Sequence, residues 1–229
     1  MFVLFAIAAA AAQPALADDF RHGLSKWRIE AEAPAKVSAR GGVLDVESPK
    51  GISLWFRRPL TGPVRISFDV QPVAAGGPND AVSDVNAFWM AHEAGKSGTA
   101  PLRRRSGAFG DYDTLETYYV GIGGNRNTTT RFRRYVGRKD DRPLLPENDL
   151  KARAAMLTPN RWTHIELIAD GRHVAVRRDG KRLFSYDDAR PYRSGWFALR
   201  TTKSHLRYRN FRIAPLPHST TSRSATPSP

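Results

Sequence analysis

Val64-Arg65-Ile66-Ser67-Phe68-Asp69-Val70 alternates apolar and polar side chains along its whole length. Successive side chains of a β-strand point to opposite faces, so the stretch predicts a strand with one buried face and one wet face. Shorter runs of similar character lie at 43–46, 52–56, 87–90, 117–122, 131–136, 164–169, 174–177, 195–200 and 206–213. Together they predict about ten strands. Asp170-Gly171 and Asp179-Gly180 bracket the run at 174–177. Asp-Gly suits the positive backbone angles of tight hairpin turns, so the two pairs predict a meander from Trp162 to Tyr186. Only 150–156 has helical character, and a single surface turn accounts for it. Antiparallel hairpins in this density are expected to close into two packed sheets, an all-β antiparallel sandwich.

The chain has 229 residues, enough for one such sandwich with a proper core and too few for two. Residues 2–12, FVLFAIAAAAA, are apolar and are followed by Gln13-Pro14-Ala15-Leu16-Ala17, a helix breaker and small residues at the A-x-A spacing of a leader cleavage site. The expected division is a signal peptide at 1–17, a sandwich domain at 18–214 and a disordered Ser/Thr/Pro-rich tail at 215–229, with Asp18 as the mature N-terminus. No Lys or Arg precedes the apolar run, which a misplaced start codon would explain. That run is too short to span a bilayer, and no other segment approaches the roughly 20 apolar residues required. The expectation is a periplasmic or secreted monomer without a membrane anchor.

There is no cysteine, which excludes disulfides, thiolate zinc sites and cysteine nucleophiles. The net charge of +14 raises nucleic acid as a partner, but the basic residues are spread along the chain. No recognition helix, zinc-finger spacing or aromatic RNA-binding signature accompanies them, so no nucleic acid is expected. An anionic polysaccharide satisfies the same charge. Residues 74–80 and 95–110, rich in Gly, Pro, Ser and Arg, flank the run that holds Trp89, where long loops commonly carry function.

Phe109-Gly110-Asp111-Tyr112-Asp113, Tyr118-Tyr119-Val120-Gly121-Ile122-Gly123-Gly124-Asn125, Thr128-Thr129-Thr130-Arg131-Phe132-Arg133-Arg134-Tyr135, Arg142-Pro143-Leu144-Leu145-Pro146-Glu147 and the segment from Ser194-Gly195-Trp196 to His205 resemble the bacterial exported domain-of-unknown-function family DUF6250. The resemblance covers essentially residues 18–214. More distantly, the Trp162 strand, the DG hairpin and the closing GWFALR…H…RNFRI look like the 3-keto-disaccharide hydrolase group. These resemblances imply a concanavalin A-like jelly roll with a concave, glycan-facing sheet, and they carry no settled reaction.

Alternation puts Arg131, Arg133 and Tyr135 on one face of their strand and Phe132, Arg134 and Val136 on the other. Beside them lies the polar connection Asn125-Arg126-Asn127-Thr128-Thr129-Thr130. Arginine grips a carboxylate bidentately, so Arg131, Arg133, Arg200 and Asn125 are candidate contacts for an acidic sugar. Trp89, Tyr118, Tyr119 and Tyr135 offer aromatic faces for stacking on a pyranose; Trp27, Trp55, Trp162 and Trp196 are assigned to the core. His205 and His92 are candidate proton carriers, since histidine titrates near neutrality. Asp84, Glu93, Asp111, Asp113 and Glu116 are candidates for a glycosidase pair of carboxylates. Asp18-Asp19 and Asp187-Asp188 offer ligands for a structural calcium, though solvated turns explain them and no other cofactor or metal is expected.

Two functions follow from these residues. One is a polysaccharide lyase acting on uronate-containing glycans, with Arg131 and Arg133 neutralising the carboxylate and His205 or Tyr119 removing the proton alpha to it. The other is a glycan-binding module without turnover. Hydrolysis or elimination of a keto-disaccharide rests on the distant resemblance alone.

Overall fold

The computed structural model describes residues 14–217. Its strands in chain order are β1 (Leu16–Asp18), β2 (Trp27–Ala31), β3 (Lys36–Arg40), β4 (Val43–Ser48), β5 (Ile52–Phe56), β6 (Leu60–Thr61), β7 (Val64–Pro72) and β8 (Val85–Glu93). They continue as β9 (Leu115–Gly123), β10 (Thr129–Val136), β11 (Asp149–Leu150), β12 (Thr163–Asp170), β13 (His173–Arg178), β14 (Lys181–Asp187), β15 (Ser194–Thr201) and β16 (Ser204–Pro215). One antiparallel sheet runs β14-β13-β12-β7-β16-β4-β3, with β1 paired to β16. The other runs β11-β10-β9-β8-β15-β5-β2, with β6 paired to β15. This is a two-sheet antiparallel jelly roll: β8 to β11 and β12 to β14 are consecutive neighbours within a sheet, and connections such as β7 to β8, β11 to β12 and β14 to β15 cross between the layers.

The opening stretch is the centre of the first sheet. Val64, Ile66, Phe68 and Val70 are buried against Leu199, Phe197 and Trp89 of the second, and Arg65, Ser67 and Asp69 point away. The Asp-Gly turns form as expected, with Gly171, Asp179 and Gly180 at positive φ. The 150–156 segment holds the end of β11 and the single turn expected there, a 3-10 turn at Arg153–Ala155, and Arg178 gathers the carbonyls of Ala154, Ala155 and Met156.

Leu16 and Ala17, expected at the end of the leader, pair with Ile213 and Arg212 in β1. The apolar run at 2–12 and most of the expected tail lie outside the described residues. Among the described residues, no helix is long and apolar enough to cross a membrane.

In β5 and β8 nearly every residue is buried, on both faces. The second sheet therefore has a covered outer surface, and what covers it is the loop between β8 and β9.

Candidate functional site

Register lines up two rows of side chains across the outer face of the second sheet. One row runs Glu30, Ser53, Arg200, Asn86, Gly121, Arg131. The other runs Arg28, Trp55, Ala198, Phe88, Tyr119, Arg133. Residues 94–114 fold back over these rows and are stitched to them one contact at a time. Trp196 Nε1 donates to Ala100 O at 2.9 Å, Arg28 Nη1 to Leu102 O at 3.0 Å, and the Arg105 N–H to Glu30 Oε1 at 3.1 Å. Arg200 Nη1 donates to Gly107 O and to Ser53 Oγ, each at 2.9 Å, with its guanidinium over the rings of Phe109 and Tyr112. The loop closes most of the face and leaves one end open.

That end is a cleft of about 760 Å³. Asn86, Tyr119 and Phe109 line its floor and inner wall, and the β9–β10 turn, the β15–β16 turn and the end of the 74–84 loop close round it. Gly121 leaves room beside them: a Cβ there would stand 2.7 Å from Tyr119 Oη and 3.0 Å from Asn86 Oδ1. Asn86 Nδ2 donates to Asp84, and its Oδ1 is buried without a hydrogen-bond partner. A buried acceptor left unpaired is costly, and a ligand donor reaching the floor would relieve it. Asp84 takes hydroxyl donors from Ser83 at 2.5 Å and Thr202 at 2.7 Å.

The rim is built from strained backbone. Asp84, Asn125, Arg126 and Asn127 have φ of 58°, 53°, 58° and 62°, a left-handed region that side chains other than glycine rarely adopt. The turn is held by Asn127, whose Oδ1 accepts from Leu157 N at 2.8 Å and whose Nδ2 donates to Leu157 O at 3.0 Å. Conformations of this kind persist where the surroundings over-determine them, commonly at binding sites. The turn presents Arg126, and the facing turn presents Lys203. Both are exposed, and neither has a hydrogen bond or ion pair among the described residues.

Several residues proposed from the sequence lie elsewhere. Trp89 is wholly buried between the sheets against Tyr118 and Phe132, so its ring faces no ligand. Tyr118 points inward too, donating to Asp188 at 2.8 Å. Tyr135 lies on the outer face as alternation predicts, but is buried among Phe88 and Tyr119. Arg131 is committed to Asp149, Arg133 to the Arg142 carbonyl, and Arg200 to the loop it supports. None of the three arginines lines the cleft.

His205 is on the outer face of the first sheet, clamped between Asp80 and Asp45 at 2.9 Å each, and cannot meet Tyr119 on the opposite face of the sandwich. Tyr119 and Asn125 do line the cleft. Phe109, Asn86, Thr202 and Lys203 join them there, and the sequence pattern did not single these four out.

Burial drives the Tyr119 phenol well above its ordinary pKa. Its hydroxyl is therefore protonated at neutral pH and available as a hydrogen-bond donor. The expected carboxylate couple does not assemble. Asp113 is buried beneath Arg142, Glu116 pairs with His92, and Glu93 pairs with Arg105, leaving Asp84 as the carboxylate lining the cleft. Among the described residues no group of three or more His, Asp or Glu side chains is placed to hold a metal ion. The acids proposed for calcium are engaged by protein donors: Asp18 accepts from Trp27 Nε1 at 2.8 Å, and Asp188 from Arg134 Nε at 2.8 Å.

The architecture is shared with solved structures. A protein of unknown function with a galectin-like fold from Bacillus subtilis matches with a TM-score of 0.66 at 15% identity, over 89% of this chain and 96% of that one. The carbohydrate-binding module CBM66 from Bacillus subtilis matches at 0.56 and 9% identity, over 83% and 97%. The exoplasmic/lumenal domain of VIP36 in its Ca²⁺/mannose-bound form matches at 0.58 and 12% identity, over 90% and 91%. At these identities the likeness is one of fold. No curated protein matches the sequence. Kinship is instead carried by residues 46–211, from within β4 to Phe211 in β16, which match the domain of unknown function DUF6250, and the chain belongs to that family.

Proposed function

We propose that this protein is an exported glycan-binding module whose ligand is an acidic sugar, held in the cleft at the open end of the second sheet. The observation that carries the reading is the pairing of unspent polar groups there: an orphaned Asn86 Oδ1 and the Tyr119 hydroxyl on the floor, with the unpaired cations Arg126 and Lys203 on the rim. A pyranose hydroxyl donates to Asn86 and accepts from Tyr119, and Phe109 supplies an apolar wall for the ring. Arg126 and Lys203 then meet the carboxylate in water-exposed positions, which favours selectivity and rapid encounter over tight binding. The carbohydrate-binding module and the mannose-bound lumenal domain of like fold lend support.

A lyase at Tyr119 and His205 is not the reading favoured here. One residue is held as an acid, and the other lies on the far sheet.

The test is titration calorimetry of the purified protein against uronate oligosaccharides and neutral counterparts. Tyr119→Phe removes a hydroxyl that forms no hydrogen bond within the protein. It should weaken binding by about tenfold, the worth of roughly one good hydrogen bond, with no loss of stability. Acidic and neutral sugars binding alike, or Tyr119→Phe binding like the parent, would sink the proposal. Ultraviolet absorbance of unsaturated product in the same samples would restore the lyase.

A further inference from the structure

A second hollow, of about 420 Å³, lies beyond the ridge formed by Phe109 and Gly110. Phe109 lines the first cleft and Gly110 the second, so one chain segment separates them. Arg103, Arg104, Arg105 and Lys139 surround the second hollow, with Asp111 as its acid.

These charges are not equivalent. Arg105 is spent on Glu93 at 2.9 Å and on the Asp111 carbonyl at 2.9 Å. Arg103 donates to Thr114 Oγ1 at 2.8 Å and lies 3.7 Å from the same Glu93. The Asp111 carboxylate is turned to Ser106, accepting from its N–H at 3.1 Å and its hydroxyl at 2.5 Å. These bonds make a preformed frame.

Arg104 and Lys139 project from that frame, exposed, with neither a hydrogen bond nor an ion pair among the described residues. Arg104 also acts on the neighbouring Arg28 as a like charge. The ridge carries Arg142, whose charge is paired with the buried Asp113. Arg142 lies with its guanidinium 4.3 Å from the Phe109 ring centre, and its Nη2 is 3.8 Å from where a Cβ on Gly110 would stand. The unpaired cations thus stand on both sides of the ridge, Arg126 and Lys203 at the first cleft and Arg104 and Lys139 at the second.

A single sugar in the first cleft has no use for charges beyond the ridge. A chain bearing a carboxylate on successive residues does, because each added ion contact releases counterions and lengthens the bound state.

We propose that the second hollow is a further subsite for the same ligand. The natural partner is then a carboxylate-bearing polysaccharide bound over several residues, crossing the ridge at Gly110. This rests on the acidic-glycan reading of the first cleft.

The experiment compares parent and Arg104→Ala/Lys139→Ala proteins against di-, tetra- and octagalacturonate, at low and moderate salt. Methyl-esterified octamer serves as the uncharged chain. The parent should bind the octamer at least about tenfold more tightly than the dimer, with a steeper salt dependence. The double variant should lose that advantage while binding the dimer as the parent does, and the ester should show no advantage in either protein. Both substitutions are at exposed positions, and an unchanged circular dichroism spectrum with parent-like dimer binding reports an intact fold. Equal affinity at all lengths, or an octamer advantage untouched by the double variant, overturns the second subsite and leaves the first. Absence of any galacturonate binding by the parent overturns both.

Discussion

Glu30 is the acid on which the covering loop depends, and its removal gives the sharpest test of how the cleft is built. The side chain is almost fully buried. Its Oε2 accepts from Trp55 Nε1 and Tyr112 Oη, each at 2.9 Å. Its Oε1 accepts from the Arg105 N–H at 3.1 Å and lies 3.2 Å from Arg28 Nη2. Two of these partners, Trp55 and Tyr112, have no route to water, since they are 1% and 0% exposed. Glu30→Ala strands both donors, each at about 1–3 kcal/mol, and leaves the half-buried Arg28 without its counter-ion. Partial relaxation of the loop brings the expected loss to about 3–5 kcal/mol, a large share of the roughly 5–15 kcal/mol by which domains of this kind are stable. Guanidinium denaturation followed by tryptophan fluorescence measures it, with Lys36→Ala, at an 83% exposed side chain, as a control expected to lose no more than about 1 kcal/mol. Limited trypsin digestion adds a local readout. Arg103-Arg104-Arg105 is a ready cleavage site, protected only while the loop is docked, and should be cut much faster in Glu30→Ala. A loss below about 1 kcal/mol, or unchanged tryptic protection, would refute this account.

Two further outcomes follow from the ties that hold the sandwich. Burial raises the Asp188 carboxyl, but hydrogen bonds from Arg134, the Arg190 N–H and Tyr118 more than offset it and hold the group below its ordinary value. A depressed carboxyl stabilises fully above its unfolded value near pH 4, and that contribution is lost as pH falls through the folded value. Asp188→Asn should therefore be less stable than the parent at neutral pH and show a shallower decline on acidification, measured by urea titrations from pH 7 down to about 3; parallel curves would contradict it. On the opposite face, His205→Ala frees Asp80, which accepts from the N–H groups of Ala75 and Gly77 and so shapes the loop leading to Asp84. Hydrogen exchange at those two amides should quicken and sugar affinity fall severalfold, whereas unchanged exchange would rule out this anchoring role.

The fold was legible because the first sheet presents an ordinary wet face. In β7 every second residue is polar, and Asp170-Gly171 and Asp179-Gly180 mark turns that no other feature obscures. The second sheet hid its parity. In β8 the run Asn86-Ala87-Phe88-Trp89 is buried throughout, so nothing in its polarity says that Asn86 and Phe88 face the loop while Ala87 and Trp89 face the core. Choosing Trp89 as a sugar platform was the consequence. The strand β2 escaped notice for a related reason: its outward position, Glu30, reads as a solvent residue and is buried by a loop some 75 residues away in sequence. Arg131 and Arg133 stand on the predicted face. Their partners, Asp149 and the Arg142 carbonyl, come from a connection whose course no local pattern reveals.

The same ties explain where the net charge of +14 comes to matter. Many acids of the scaffold are spent internally: Glu30 on Arg28, Glu93 on Arg105, Asp113 on Arg142, Asp149 on Arg131, Asp188 on Arg134, and Asp45 on His205 and Arg207. Such pairs fix loops and turns at little net electrostatic gain, since desolvation offsets most of the attraction. The excess of cations is left over, and at the two hollows it falls to Arg126, Lys203, Arg104 and Lys139. A field set up by unpaired charges on concave, partly apolar walls attracts anions far more effectively than the same number spread over a convex surface. On the proposed reading, the same composition serves a flexible acidic polysaccharide. Among the described residues the helical segments are only three or four residues long, too short to fill a groove.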